Sequence, residues 1–136
     1  MRAALLFAGL VFSGFAFAQD AASGNSAKAA AGNWLALTDA GSYAASWDKA
    51  APAFQSAISK PDWEQALRKV RMPLGVVKAR RLTSAQYAHS LPGAPDGDYF
   101  VLQFATQFEY KATAVETVTP MKGPDGNWRV SGYFIK

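Results

Sequence analysis

The order of hydrophobic patterns along the chain predicts an α+β domain: N-terminal helices packed on a curved antiparallel sheet of about four strands. Three observations predict it. Up to Val70 the apolar residues recur at helical spacing, most cleanly at Trp63, Ala66, Leu67 and Val70. After Gly75 the period changes to alternation, most plainly from Tyr99 to Glu109. Short Pro/Gly/Asp clusters separate the later apolar runs and suit turns between antiparallel neighbours. Helices first and strands after, without alternation of the two, read as α+β.

The chain starts with one positive residue, Arg2, then an uncharged stretch from Ala3 that closes with Ala16-Phe17-Ala18. A positive start, an apolar run and a small-x-small end are the parts of a cleavable signal peptide. Residues 1–18 are therefore expected to be removed, leaving Gln19 as the mature N-terminus in the periplasm or outside the cell. The apolar run is shorter than the ~20 residues of a spanning helix, and no transmembrane segment is expected in the mature chain. Residues 19–27 are small and polar and are expected to form a flexible tail. Residues 28–136 are expected to form a single domain.

Ala30, Trp34 and Leu37 share one face of the first helix, which ends where Gly41 can take a left-handed conformation. Ser42 can cap a second helix carrying Tyr43, Trp47, Ala50, Phe54 and Ile58, with a kink or break at Pro52. Ser59-Lys60-Pro61-Asp62 opens the cleanest amphipathic helix, with Ser59 as cap and Pro61 in the first turn. Val76 to Tyr87 is an impure strand. In Tyr99 to Glu109, Phe100, Leu102, Phe104 and Phe108 share a face against Gln103 and Gln107. Ala114 to Thr119 is a third strand, bounded by Pro120. After the hairpin residues Lys122 to Gly126, Trp128 to Ile135 is the last, with Trp128, Val130 and Phe134 on one face and Arg129, Ser131 and Tyr133 on the other.

Composition excludes several function classes. The chain has no cysteine, so lipid anchoring on a cysteine, disulfides, Cys-ligated zinc and iron–sulfur clusters are out. A single histidine, His89, rules out a three-histidine zinc site. No nucleophile elbow, phosphate loop, dinucleotide fingerprint or calcium loop is present. No cofactor and no metal is expected. The formal charge is +4. In an exported protein this favours an anionic envelope component or acidic protein over nucleic acid.

Several segments resemble a known family when taken together: Trp34 to Tyr43, Ser46-Trp47, Trp63 through Arg71-Met72-Pro73-Leu74-Gly75, Leu91-Pro92-Gly93 with Asp96-Gly97, Glu116 to Thr119, and Gly126 to Tyr133. The chain is similar to the exported bacterial domain-of-unknown-function 4019 family over about residues 28–136. That resemblance implies export and no particular activity. More loosely, Phe104 to Phe108, Glu116-x-Val118 and Asp125 to Tyr133 resemble the end of a nuclear transport factor 2-like (cystatin-like) cone. That superfamily includes enzymes and binding modules alike.

Four groups of residues are candidates for function. His89 sits at the edge of a Pro/Gly loop with no partner suggested by spacing. Glu116 lies between Ala114 and Val118 on one strand face, where apolar neighbours can make a carboxylate an acid or base. With Tyr133, and with Gln103 and Gln107 lining the same surface, it would serve a cone-type isomerase or hydrolase. Alternatively it pairs with Lys111 or Arg129 on the solvated face. Arg68, Lys69, Arg71 and Arg80, together with Lys78 and Arg81, form a basic stretch with no Asp or Glu between Gln65 and Pro95. Arg68, Lys69, Arg71 and Arg80 would bind an anionic partner, with the heads of Arg68, Lys69 and Arg71 expected in solvent. Trp34, Trp47, Trp63 and Trp128 all fall on apolar faces and are expected in the core. The favoured function is a non-catalytic binding module of the cell envelope.

Overall fold

Gly24, Ala27 and Ala31 fall on one face of a helix and put almost no side chain between it and the sheet. The computed structural model describes residues 12–136, and α1 is Phe12–Asp39. Residues 1–11 of the expected signal segment lie outside the described residues. Residues 19–27, expected as a flexible tail, are instead helical. Ala27 and Ala31 are fully buried, and Gly24 lies against the ring of Phe100, which a Cβ there would touch at 3.6 Å. Close packing of small residues overrides the weak helix propensity of Gly24, Asn25 and Ser26.

The helix ends as expected. Gly41 has φ +77°, the Gly41 N–H donates to the Thr38 carbonyl (3.1 Å), and the Ser42 N–H donates to the Leu37 carbonyl (2.9 Å). This is the paired closure of a Schellman motif. Pro52 breaks the next helical run in two, α2 (Tyr43–Asp48) and α3 (Pro52–Ala57), with Pro52 in the first turn of α3. The extended link between them is tied to the sheet by Ala51 N–H donating to the Val130 carbonyl (2.8 Å). Helix α4 is Lys60–Arg71, and the Ser59 hydroxyl accepts from the Asp62 N–H (3.3 Å). Its buried face differs from the expected stripe. Trp63, Leu67 and Arg71 point inward, while Ala66 and Val70 are exposed. A 3-10 turn, Met72–Leu74, follows.

The four strands are β1 (Val77–Ala88), β2 (Tyr99–Phe108), β3 (Lys111–Lys122) and β4 (Trp128–Ile135), antiparallel in the order β1-β2-β3-β4. The helices pack on one face. Bulges explain where simple alternation fails. Strand β1 has register shifts at Val77/Ala79 and Leu82/Ser84, which account for its impure pattern. In β4, Gly132 pairs with Thr119 but Val130 pairs with Pro120, so Ser131 is an extra residue. Pro120 has no N–H for the ladder, and the bulge opposite absorbs that loss. The bulge also reverses the face beyond it. Tyr133 turns into the core and Phe134 turns out, 53 % exposed, the opposite of the expected alternation.

The core is aromatic. Trp34 packs edge-on to Tyr133 (5.1 Å) and Phe54 (6.3 Å), and Phe54 packs edge-on to Trp63 (4.7 Å). Three indole N–H groups are satisfied: Trp34 donates to the Ser46 carbonyl (2.8 Å), Trp63 to the Ser46 hydroxyl (2.9 Å) and Trp47 to the Ile58 carbonyl (2.8 Å). Trp34 and Trp63 are buried as expected; Trp128 is half-buried against Phe100 (5.4 Å).

Candidate functional site

Asp39 ends α1, where the helix dipole disfavours a negative charge. Two arginines compensate. Arg71, at the last position of α4, donates from Nη2 to Asp39 Oδ1 (2.8 Å) and from Nη1 to the Thr38 hydroxyl (2.9 Å). Arg80, on β1, donates from Nη1 to Asp39 Oδ2 (2.7 Å) and from Nη2 to Oδ1 (2.9 Å). Arg80 then reaches across to Glu116 on β3, from Nε to Oε1 (2.7 Å) and from Nη2 to Oε2 (3.2 Å). The Thr106 hydroxyl donates to Glu116 Oε1 (2.5 Å) and the Tyr133 hydroxyl to Oε2. Two guanidinium groups and two carboxylates make a charge-balanced network joining α1, α4, β1 and β3.

Glu116 is 0 % exposed and Arg71 4 %. Arg71 also lies over the Phe108 ring (5.1 Å), whose face attracts the cation. Burial pushes the Asp39 carboxyl up, but hydrogen bonds from Arg80 and Arg71 outweigh it and hold the group below the usual carboxylate range. Burial pulls Arg80 down, and its bonds to Asp39 and Glu116 more than restore it. Burial raises the Tyr133 hydroxyl well above its ordinary value, and the neighbouring Glu116 raises it further.

The structure brings together Glu116 and Tyr133, and it adds Arg80 and Arg71 from the basic stretch. Glu116 pairs neither with Lys111 nor with Arg129; Arg129 instead donates to Asp125 (2.8 Å) within the β3–β4 hairpin. The expectation that the Arg71 head lies in solvent is overturned. Arg71 follows Leu67 by one helical turn and faces inward, and the carboxylate of Asp39 and the ring of Phe108 make that position tolerable. Arg68 lies apart, over the Tyr43 ring (5.8 Å), and Lys69 is exposed. Gln103 and Gln107 are exposed on the outer face of the sheet, away from Glu116. His89 is exposed in its loop. Sequence reasoning missed Asp39, Thr38 and Thr106. Asp39 reads as part of a helix stop, and only an acidic residue at the disfavoured end of a helix marks it as needing cations.

A carboxylate offers about four lone-pair sites, and Glu116 receives four donors. A general base needs an open site within reach of the proton it takes. In this arrangement Glu116 is a strut. Three surface grooves are present, and neither Glu116 nor Tyr133 lines them, although one is lined by Arg80 and Thr106 beside the network. One of 690 Å³ runs between α1 and the β3–β4 hairpin. Trp34, Leu37, Trp128 and Val130 form its apolar floor, and Asn33, Lys49 and Asn127 its polar edge. An apolar floor with a few polar groups is the usual build of a ligand site.

The family description "Protein of unknown function (DUF4019)" matches residues 30–133. No curated protein and no solved structure matches the chain. Among the described residues, no helix is long and apolar enough to cross a membrane.

Proposed function

The chain belongs to the DUF4019 family, a family defined without an activity, and we propose that it is an exported, non-catalytic binding module of the cell envelope. The observation that carries this reading is the saturation of Glu116. The carboxylate best placed for chemistry has its four acceptor sites filled by Arg80, Thr106 and Tyr133. Interaction is then left to the surface. The groove between α1 and the β3–β4 hairpin is where we place ligand binding. Its tryptophan floor suits the apolar face of a sugar ring or peptide side chain, and Asn33, Asn127 and Lys49 can bond polar groups above it. Export rests on residues 1–18, and intact mass of the protein from its host checks the processing: a mature chain should begin at Gln19, and a full-length chain held in the membrane fraction contradicts cleavage after Ala18.

Binding is tested by titrating envelope oligosaccharides and peptides while following tryptophan fluorescence, which Trp128 reports. A ligand of this groove changes the emission of the wild type and binds less well to Asn33→Ala and Asn127→Ala. Equal binding by all three proteins places the ligand elsewhere. The contact of Tyr133 with Glu116 supports a second reading, a cone-type isomerase or hydrolase. That chemistry requires Arg80 or Tyr133 to leave Glu116 when substrate binds, and the Glu116→Gln variant separates the two readings.

A further inference from the structure

We propose that the end of the domain built around the Met72–Leu74 turn docks on an anionic lipid surface. Four apolar side chains stand in solvent there: Val70 is 47 %, Met72 65 %, Val76 58 % and Tyr110 72 % exposed. Their backbones gather at one end of the domain. Val70 and Met72 close α4 and open the 3-10 turn, and Val76 follows Gly75 into the sheet. Tyr110, in the β2–β3 connection, donates its N–H to the Leu74 carbonyl (2.9 Å), and the Glu109 N–H donates to the Val76 carbonyl (2.8 Å). Gly75 has φ +76°, and the Tyr110 ring lies so close that a Cβ would come within 2.8 Å of it. The chain thus holds the Tyr110 ring against Gly75, close in sequence to the exposed Met72 and Val76.

The charge around this surface is mainly positive, three lysines against the carboxylate of Glu109. Lys69, Lys78 and Lys111 are exposed within two residues in sequence of these positions, at the end of α4 and the starts of β1 and β3. The Glu109 carboxylate is turned onto the Val76 N–H (3.4 Å). Arg71 and Arg80 are not part of this charge, because Asp39 and Glu116 hold them. Apolar tips and a tyrosine framed by lysines match the interface of a bilayer with acidic headgroups, where apolar chains enter the headgroup boundary and cations stay above it. This proposal is independent of the groove.

Vesicle flotation tests it, with phosphatidylcholine alone and with phosphatidylcholine plus phosphatidylglycerol. All proteins are compared in the same N-terminal form, so any contribution of residues 1–18 cancels. The wild type should float with the anionic vesicles at low salt and lose binding as salt rises. Lys69→Gln with Lys111→Gln should lower the partition coefficient roughly thirtyfold, since each lysine near such a surface contributes about fivefold. Met72→Ser with Tyr110→Ser should also lower it, and both doubles alter only exposed side chains, which circular dichroism checks. Absence of wild-type flotation, or flotation of both doubles equal to wild type, overturns the proposal. So does a wild-type dimer in sedimentation that Met72→Ser with Tyr110→Ser disperses without any vesicle effect, because the patch then belongs to a second copy of the chain.

Discussion

Replacing Glu116 by Gln removes one charge and, on one of its two terminal atoms, turns an acceptor into a donor. The amide nitrogen must then face either Arg80 Nε and the Thr106 hydroxyl or Arg80 Nη2 and the Tyr133 hydroxyl, all donors now. The balance of two cations and two anions, in which Glu116 and Arg71 are buried, becomes two against one. Removing one partner of a buried ion pair costs about 3–5 kcal/mol, a large part of the ~5–15 kcal/mol that holds a domain folded. With a urea slope of about 1–3 kcal/mol/M, the unfolding midpoint should fall by more than about 1 M. A double-mutant cycle with Arg80→Met and Glu116→Met separates charge from packing. The double variant leaves the neutral Arg71–Asp39 pair, so it should be less destabilised than the sum of the singles by about 2–3 kcal/mol. A loss below about 1 kcal/mol for Glu116→Gln would refute the strut argument. If the same variant kept its stability but lost a hydrolase or isomerase activity, Glu116 would be a catalytic residue instead.

Acid should weaken the fold through Asp39. Its carboxyl is held below the usual range in the folded state, so the unfolded chain binds the proton first as pH falls. The contribution is complete above the unfolded value near 4 and is lost as pH drops through the folded value; Asp39→Asn should flatten the fall in urea midpoint between pH 5 and pH 3. Alkali should act through Tyr133 with the opposite sign. Its raised hydroxyl stays protonated while an unfolded tyrosine ionises near 10, so stability should drop above that pH, and less steeply in Tyr133→Phe. Gly75→Ala should cost more than about 1 kcal/mol in denaturant unfolding, because φ is +76° and the new Cβ would meet Glu109 Oε1 at 2.6 Å. Trp63→Ala should cost about 3–5 kcal/mol by the same assay, because the ring is buried between Phe54 and Trp34 and its N–H binds Ser46.

The parts of the fold that local chemistry determines could be read from the chain. Gly41, Pro52 and the Ser59 cap act within a few residues of themselves, and each ends or starts a helix where expected. The four strands and their order of appearance follow from alternation and turns. What could not be read depends on partners far away in sequence. The helicity of residues 19–27 comes from Gly24 meeting Phe100. The inward turn of Tyr133 comes from a bulge opposite Pro120, and the inward turn of Arg71 from Asp39, 32 residues earlier. Glu116 was readable as unusual, because a carboxylate between Ala114 and Val118 must be paired or perturbed. Its partner was not, since Arg80 lies two strands away in the sheet and belongs to a basic run whose strand residues point to both faces.

The helix-covered face of the sheet is divided in two, and the division explains where binding is left to occur. Trp34, Phe54, Trp63 and Tyr133 fill one part with rings, and Arg71, Asp39, Arg80 and Glu116 fill the other with charge. Tyr133 stands at the seam: its ring packs on Trp34 while its hydroxyl donates to Glu116. Each part depends on the other. The aromatic wall excludes water and so strengthens the ion pairs, and the ion pairs fix α1 and α4 against β1 and β3 at the distance the rings require. A ligand driven deep between the helices and the sheet would have to displace rings or break the Arg80–Glu116 pair, and breaking the pair alone costs several kcal/mol. The open groove beside Trp128 and the lysine-framed end at Met72 require no such rearrangement. Binding should therefore occur there first.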